Sequence, residues 1–258
     1  MTKIETTPKT ALILGGSSGL GLATAHKLAS AGYAIVLVHR DRKSNIPNLE
    51  AEVAKMESFG VSVTTYNKDA LKEETMQEVL AEIEAKSISV LIHSIAKGSL
   101  KALSGTEEVL SKIDIDITLH AMGTSWWQWT AALLQQDKFC KNVRNIAFTS
   151  EGNTKVWPGY GAVSAAKATL EALMRQMAIE LAPHGITTNC IQAGTTETPS
   201  FKMIPGSDKL AEMAKRRNPF GRLTTPEDVA NAVWLLCQEE GKWINGVVLR
   251  VDGGEGLR

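Results

Sequence analysis

The sequence predicts an α/β domain: a doubly wound parallel sheet of about seven strands with helices on both faces. Three observations predict it. Short β-branched and apolar runs alternate with longer segments at helical spacing. Several of those runs are apolar almost throughout, as strands covered on both faces require. No repeat, low-complexity tract or Pro/Gly-rich linker divides the 258 residues, so residues 1–258 read as one domain.

Taken in order, the strands are Ala11–Leu14, Ala34–Val38, Val61–Tyr66, Val90–Ile92, Asn145–Thr149, Thr187–Ile191 and Val247–Val251. A first helix is marked by Leu20, Ala23, Leu28 and Ala31, and a later one by Leu170, Leu173, Met177 and Leu181. Another begins at Thr225-Pro226-Glu227-Asp228, with a Thr N-cap, Pro in the first turn and acids beside the positive helix end. Trp126, Trp127 and Trp129 cannot all face one side of a helix, so at least one indole turns away from the core. From Thr195 to Asn218 the rhythm relaxes, and prolines and a glycine interrupt an apolar stretch that includes Phe201, Met203 and Ile204. That stretch reads as a loop, about residues 195–218, suited to covering an apolar substrate.

Composition narrows the function classes. Hydrophobic residues make up 43% and charged residues 22%, a globular balance. Twenty-eight basic side chains match 28 acidic ones, which removes the electrostatic case for nucleic acid or an anionic membrane as main partner. No apolar run reaches the roughly 18 residues of a membrane span. Met1–Thr10 lacks the apolar core of a secretion signal. Cys140, Cys190 and Cys237 are odd in number and scattered; they form neither a disulfide framework nor a metal spacing, so no metal is expected and a reducing cytoplasm fits.

The first strand runs into Gly15-Gly16-Ser17-Ser18-Gly19-Leu20-Gly21, and a helix follows. Glycine there permits unusual dihedrals, close approach of backbone to a pyrophosphate and close helix–strand packing. The helix start then offers free N–H groups and a positive dipole end. The context predicts a Rossmann-like dinucleotide site. The second strand ends at His39-Arg40, where an acid would bind the ribose hydroxyls of NADH. A guanidinium instead matches a 2′-phosphate, which favours NADPH, although Arg40 also reads as a plain surface charge.

The Gly-x-x-x-Gly-x-Gly spacing (Gly15, Gly19, Gly21), Asp69 after the third strand and Val251-Asp252-Gly253-Gly254 resemble the short-chain dehydrogenase/reductase family, over about Lys9 to Gly254. Mainstream members carry Tyr-x-x-x-Lys with a Ser thirteen residues before the Tyr. Here Val163 stands four residues before Lys167, Ser150 keeps the serine place, and the nearest tyrosine is Tyr160, seven before Lys167. Tyr-x6-Lys resembles the enoyl-acyl-carrier-protein reductases, a divergent branch. His93-Ser94-Ile95-Ala96 and Ala193-Gly194 resemble that branch as well. Ser150, the Gly-rich turn and the C-terminal third are similar to 3-oxoacyl-carrier-protein reductases, and Thr118 stands near the place of their missing Asn.

The resemblance implies roles. Tyr160 would donate to the substrate oxygen, Lys167 would hold the nicotinamide ribose and lower the phenol's pKa, and Ser150 would assist or merely cap a strand end. Gly15, Ser17, Ser18, Gly19, Leu20, Gly21, His39, Arg40, Asp69, Ser94, Ile95, Ala96, Lys167, Ala193, Gly194 and Thr198 would line the cofactor. Asp69 would meet the adenine edge or cap a loop, and His93 is as readily a structural histidine as a site residue.

Moving the tyrosine about one helical turn, on the order of 5 Å, has a chemical use. In enoyl-thioester reduction charge collects on an oxygen three bonds from the carbon that receives hydride, against one bond for a ketone. The leading expectation is an NADPH-dependent enoyl-thioester reductase of fatty acid synthesis acting on acyl carrier protein substrates, with a 3-oxoacyl or other carbonyl reductase as alternative. A catalytically silent NADPH-binding protein is the reading from another class. Family likeness and the tryptophan cluster imply a homodimer or homotetramer.

Overall fold

The computed structural model describes residues 9–105 and 108–258, so Met1–Pro8 of the N-terminal reading lie outside the described residues. The apolar runs form seven strands in one parallel sheet of order β3-β2-β1-β4-β5-β6-β7. In chain order the elements are β1 (Thr10–Leu14), α1 (Gly19–Ser30), β2 (Ala34–His39), α2 (Ile46–Glu57), β3 (Val63–Asn67), α3 (Glu73–Glu82), β4 (Ile88–His93), α4 (Lys112–Leu119), α5 (Ser125–Gln135), β5 (Phe139–Thr149), α6 (Gly161–Glu180), β6 (Ile186–Ala193), α7 (Pro199–Lys202), α8 (Ser207–Arg217), α9 (Pro226–Leu236) and β7 (Val248–Val251).

Alternation along each strand supplies two cores. Ala11, Ile13, Ile35, Leu37, Val90 and Ile92 face α1, α2 and α9. Leu12, Leu14, Val38, Leu91 and Ala147 face α3, α5 and α6. Strands covered on both faces are the reason the runs are apolar at successive positions. The helix signals read from sequence form helices: Leu28, Leu170 and Met177 are buried, and Thr225 closes a capping box with Asp228. Trp126 and Trp129 are buried with their indole N–H groups donating to Asn145 Oδ1 (2.6 Å) and the Ala70 carbonyl (2.9 Å). Trp127 is the outward indole, 48% exposed.

Residues 195–218 depart from the expected loop. Pro199–Lys202 is a short helix capped by Thr198 Oγ1, and Ser207–Arg217 forms α8. The apolar side of α8 is short, Leu210, Ala211, Met213 and Ala214 among charged residues, and the prolines and glycine just before it extended the loop reading across it. The α2, α3 and α4 helices were also not read: α2 and α4 bury few positions, whereas α3 buries Thr75, Met76, Val79 and Leu80, a stripe at helical spacing present in the sequence.

All seven strands are parallel, so Leu14, His39, Asn67, His93, Thr149, Ala193 and Val251 end at one edge. The order reverses between β1 and β4, and a crevice for ligand opens outside such a switch point.

At that edge His93 is fully enclosed, with Nε2 2.9 Å from Ser125 Oγ and Nδ1 without a partner. Burial, with the Lys167 charge nearby, drives its pKa from 6.5 down to about 3. The folded state therefore stays unprotonated where the unfolded state takes up a proton. Stability fully present above the unfolded pKa is lost as pH falls toward the folded one, by about 2 kcal/mol between pH 6.5 and about 5. Urea unfolding at those two pH values, compared between wild type and His93→Asn, should show that part of the acid sensitivity vanish in the variant.

Candidate active site

The first functional feature is a place where backbone meets backbone. Gly15 adopts φ +86°, and a Cβ there would stand 2.6 Å from the Ser94 carbonyl oxygen. A Cβ on Gly21 would stand 2.3 Å from the Gly15 carbonyl oxygen and 3.0 Å from Ser94 Oγ. The Ser94 N–H donates to the Leu14 carbonyl (2.8 Å), which fixes the two loops across the β1–β4 crevice. Gly19, at φ +54°, lies against Thr198. Gly15, Gly19, Gly21, Ser94 and Thr198 are thus brought together from three separate segments. Leu20 packs under them on the α1-side core.

Whether a dinucleotide fits can be judged on the chain itself. Ser18 is the N-cap of α1 but its side chain makes no capping bond, and the first turn carries no acid. The leading N–H groups are left for an anion, while the Asp41 carboxylate lies beside Ser17 of the same turn. The glycine cradle and the uncapped helix start fit a pyrophosphate.

Arg40 Nη1 donates to Asp69 Oδ2 at 3.0 Å, and Asp69 Oδ1 accepts from the Leu71 N–H at 3.1 Å. Asp69 is therefore both the loop cap and the partner of Arg40. His39 is buried and points inward, its Nδ1 2.8 Å from Asp41 Oδ2. Sequence reasoning missed Asp41. Burial works to raise its carboxyl, but hydrogen bonding from Ser17, Asn45 and His39 more than offsets this and holds it below the ordinary carboxylate range. Nothing in the local sequence distinguished it from a surface acid.

Ile95 packs against both neighbouring core clusters, while Ala96 is exposed. The Gly194 N–H donates to the Val251 carbonyl at 3.0 Å. A Cβ on Gly194 would strike Thr224 Oγ1 (2.3 Å) and Asp252 Cα (2.9 Å), so packing alone requires glycine there. Ala193, half-buried, packs on the α1-side core.

At the other end of the crevice Tyr160 is the N-cap residue of α6. Its ring lies on Gly152, where a Cβ would be 2.2 Å from Cε1, and edge-on to Trp157 at 5.5 Å between centroids. Burial raises the phenol's pKa, and the neighbouring Ser150 hydroxyl acts against that rise. Ser150 Oγ is itself buried and makes no well-formed hydrogen bond. Val163, one turn further along, is buried and packs with Met122, Ala121 and Ala166; together with Thr118 and Met122 it closes over Gly98. Thr118 is buried, its hydroxyl donating to the Asp114 carbonyl and accepting from the Ser99 N–H.

Lys167 departs from expectation. Its Nζ is enclosed and donates to the Phe148 carbonyl at 2.7 Å. Burial pushes its pKa down to about 8, against the opposing pull of Cys190 and Glu171. The phenol of Tyr160 is not lowered by Lys167: burial dominates, and the one counteracting group is Ser150. The proximity effect fails because the ammonium is turned into the sheet edge, toward β5, instead of along the helix toward Tyr160.

No group of three or more His, Cys, Asp or Glu side chains among the described residues could hold a metal ion. No helix among them is long and apolar enough to cross a membrane.

Comparison with known proteins agrees with this geometry. The family model described as enoyl-(acyl carrier protein) reductase matches residues 15–255. Dehydrogenase/reductase SDR family member 4 of Sus scrofa is 29% identical over 255 residues, covering 97% of this chain and 88% of that one. NADPH-dependent aldehyde reductase-like protein, chloroplastic, of Arabidopsis thaliana is 26% identical over 256 residues, covering 95% of this chain and 93% of that one. Among solved structures, the enoyl-[acyl-carrier-protein] reductase (NADH) of Aquifex aeolicus superposes with a TM-score of 0.82 at 27% identity, covering 97% of each chain. A short chain dehydrogenase of Burkholderia cenocepacia in complex with NADP gives 0.81 at 26% identity, covering 96% of this chain and 98% of that one. With its parallel sheet, its glycine crevice at the switch point and a family model that spans nearly its whole length, the chain belongs to the short-chain dehydrogenase/reductase family, on the enoyl-acyl-carrier-protein reductase-like side, and is an NAD(P)H-dependent oxidoreductase.

Proposed function

We propose that the protein is an NADPH-dependent reductase of enoyl thioesters, taking its acyl substrates from acyl carrier protein in fatty acid synthesis. The observation that carries this reading is the placement of Tyr160. Its ring is seated on Gly152 at the start of α6, seven residues before Lys167, with the buried Ser150 hydroxyl beside it. Val163 fills the usual tyrosine place with packing.

A nicotinamide cofactor, when bound, would supply hydride chemistry at this site. Gly15, Ser17, Ser18, Gly19, Leu20, Gly21, Ser94 and Thr198 hold the phosphates and the adjoining ribose. Ile95, Ala96, Ala193 and Gly194 bound the nicotinamide end, and His39, Arg40 and Asp69 the adenosine end. Tyr160 carries its proton at neutral pH, as an ordinary phenol does and burial reinforces, so it can donate a hydrogen bond to the thioester oxygen as charge develops there. Ser150, with an unmet hydrogen bond, serves the same oxygen. Lys167 anchors ribose hydroxyls when its ammonium turns from the Phe148 carbonyl. Phe201 and Met203, on and beside α7, suit the acyl chain.

A carbonyl reductase is the second reading. Ser150 favours it, as does the aldehyde reductase-like relative from Arabidopsis. The preference for NADPH rests on Arg40 at the end of β2, and the NADP-bound relative is in keeping with it. Half-exposed Trp127 beside Leu134 and Leu173 in the groove between α5 and α6 supports a homodimer or homotetramer. Three unpaired cysteines suit the cytoplasm.

NADPH oxidation should proceed with crotonyl thioester and not with acetoacetyl thioester, and Tyr160→Phe should lower kcat by about 10²–10⁴-fold. Turnover on acetoacetyl thioester alone would establish the carbonyl reading instead. Arg40→Ala should reduce the ratio of kcat/KM for NADPH over NADH by about tenfold, and an unchanged ratio would remove Arg40 from cofactor choice.

Lys167 gives a prediction in stability. Its folded pKa of about 8 lies below the ordinary 10.5, so the unfolded state holds its proton over a range where the folded state has lost it. Stability therefore rises with pH from about 8 toward 10.5, and below that window burial of the ammonium costs about 3 kcal/mol. Chemical denaturation should find Lys167→Met more stable than wild type at neutral pH, with the gap closing above pH 10, while its affinity for NADPH falls.

A further inference from the structure

We propose that Arg217 is a positioning residue: it clamps the Glu151–Asn153 turn to the Thr195–Glu255 corner and so seats Gly152 beneath the Tyr160 ring. The proposal rests on the reading of Tyr160 as the proton donor. Arg217 ends α8, and its Nη2 bridges two carboxylates, Glu151 Oε1 at 3.1 Å and Glu255 Oε1 at 2.8 Å. Glu255 is buried, and its carboxylate also accepts from the Thr195 N–H (3.0 Å) and the Thr195 hydroxyl (2.8 Å). One end of the clamp is thereby fixed to the segment that leaves β6. The other end, Glu151, follows Ser150 directly and opens the 3-10 turn that presents Gly152 to the ring. Lys155, the second cation on Glu151 (2.6 Å), belongs to the same short segment and cannot tether it to the rest of the molecule.

A buried carboxylate bridged by a single guanidinium is sensitive to loss of its partner. Without Arg217 the Glu151 side chain has no ion pair outside its own segment, and the turn is held only by its packing against α6. The ring of Tyr160 then loses the backbone surface that covers it, and water reaches the phenol. The contact is close enough that no Cβ fits between Gly152 and the ring, so even a small shift of the turn changes the phenol's surroundings. Arg217 touches no catalytic group itself; the phenol is the reporter.

The test is a spectrophotometric titration of tyrosinate, with the Tyr160→Phe spectrum subtracted so that only Tyr160 is read. Tyr33 and Tyr66, each pushed up to about 12, cancel in the difference. No substrate or cofactor is needed, so the outcome is independent of whether enoyl or carbonyl compounds are reduced. Arg217→Met should move the Tyr160 transition downward, toward the ordinary phenol range, because relief of burial outweighs loss of Ser150. Arg217→Lys, which can still bridge the two carboxylates, should restore most of it. With whichever substrate is turned over, kcat of Arg217→Met should fall about tenfold while the affinity for NADPH, measured by fluorescence, stays at the wild-type value. If Arg217→Met does not fold, Glu151→Gln weakens the same clamp from its other side and is read in the same way. A Tyr160 transition unchanged in the folded variant, or displaced equally by Lys and Met, overturns the proposal and leaves Arg217 a structural tie.

Discussion

Between β1 and β4 the Gly15 backbone comes so close to the Ser94 carbonyl that a single Cβ would be driven to 2.6 Å from it, and Gly21 closes on Gly15 more tightly still. Much of the molecule is arranged around that approach. It requires β1 and β4 to be neighbours in register, and it fixes where α1 starts relative to the sheet. It also leaves the first turn of α1 with uncapped N–H groups facing the crevice. A helix start with no side-chain cap lacks part of its own stabilisation. Here the packing of Ala25, Leu28 and Ala29 against the sheet and α9 holds the helix instead.

The same edge concentrates polar groups that folding alone would not select. His93 and Lys167 are both enclosed, and burial drives both toward their neutral forms. Each lowers stability in its own pH window, His93 on the acid side and Lys167 below the alkaline range. The sheet tolerates this because the apolar residues beneath, on both faces, are almost fully buried. The cost is confined to the rim where strands end and ligands bind, the usual place for stability to be exchanged for chemistry.

Tyr160 stands at the mouth of α6 and not within it, and that follows from what surrounds it. Val163 is packed into a small apolar cluster with Met122 and Ala166, which leaves no opening for a phenol there. Tyr160 lies on backbone, with Gly152 beneath and Trp157 at its edge. A ring supported by backbone is placed by the loop that supplies it, so the turn after β5 matters as much as the helix. The bridge from Glu151 through Arg217 to Glu255 adds to the packing on α6 a tie from that turn to the C-terminal corner.

The parallel sheet, the glycine turn and the α9 cap were legible in the sequence because each depends on neighbours within a few residues, whereas the strand order joins segments far apart in the chain. Alternation is set by the pleat, a capping box by four consecutive residues, and a glycine by its own dihedral. The spacing from Tyr160 to Lys167 was legible for the same reason. Helix α8 was not, since its short apolar side, Leu210 to Ala214, lies among charged residues directly after a stretch interrupted by proline and glycine. Nor were the directions of long side chains. Whether Lys167 reaches along α6 or into the Phe148 carbonyl, whether Arg40 stands free or pairs with Asp69, and which carboxylates Arg217 bridges are decided by groups 19, 29, 38 and 66 residues away. Such contacts are selected by burial and by the partners that folding delivers, and a linear sequence holds no local trace of them.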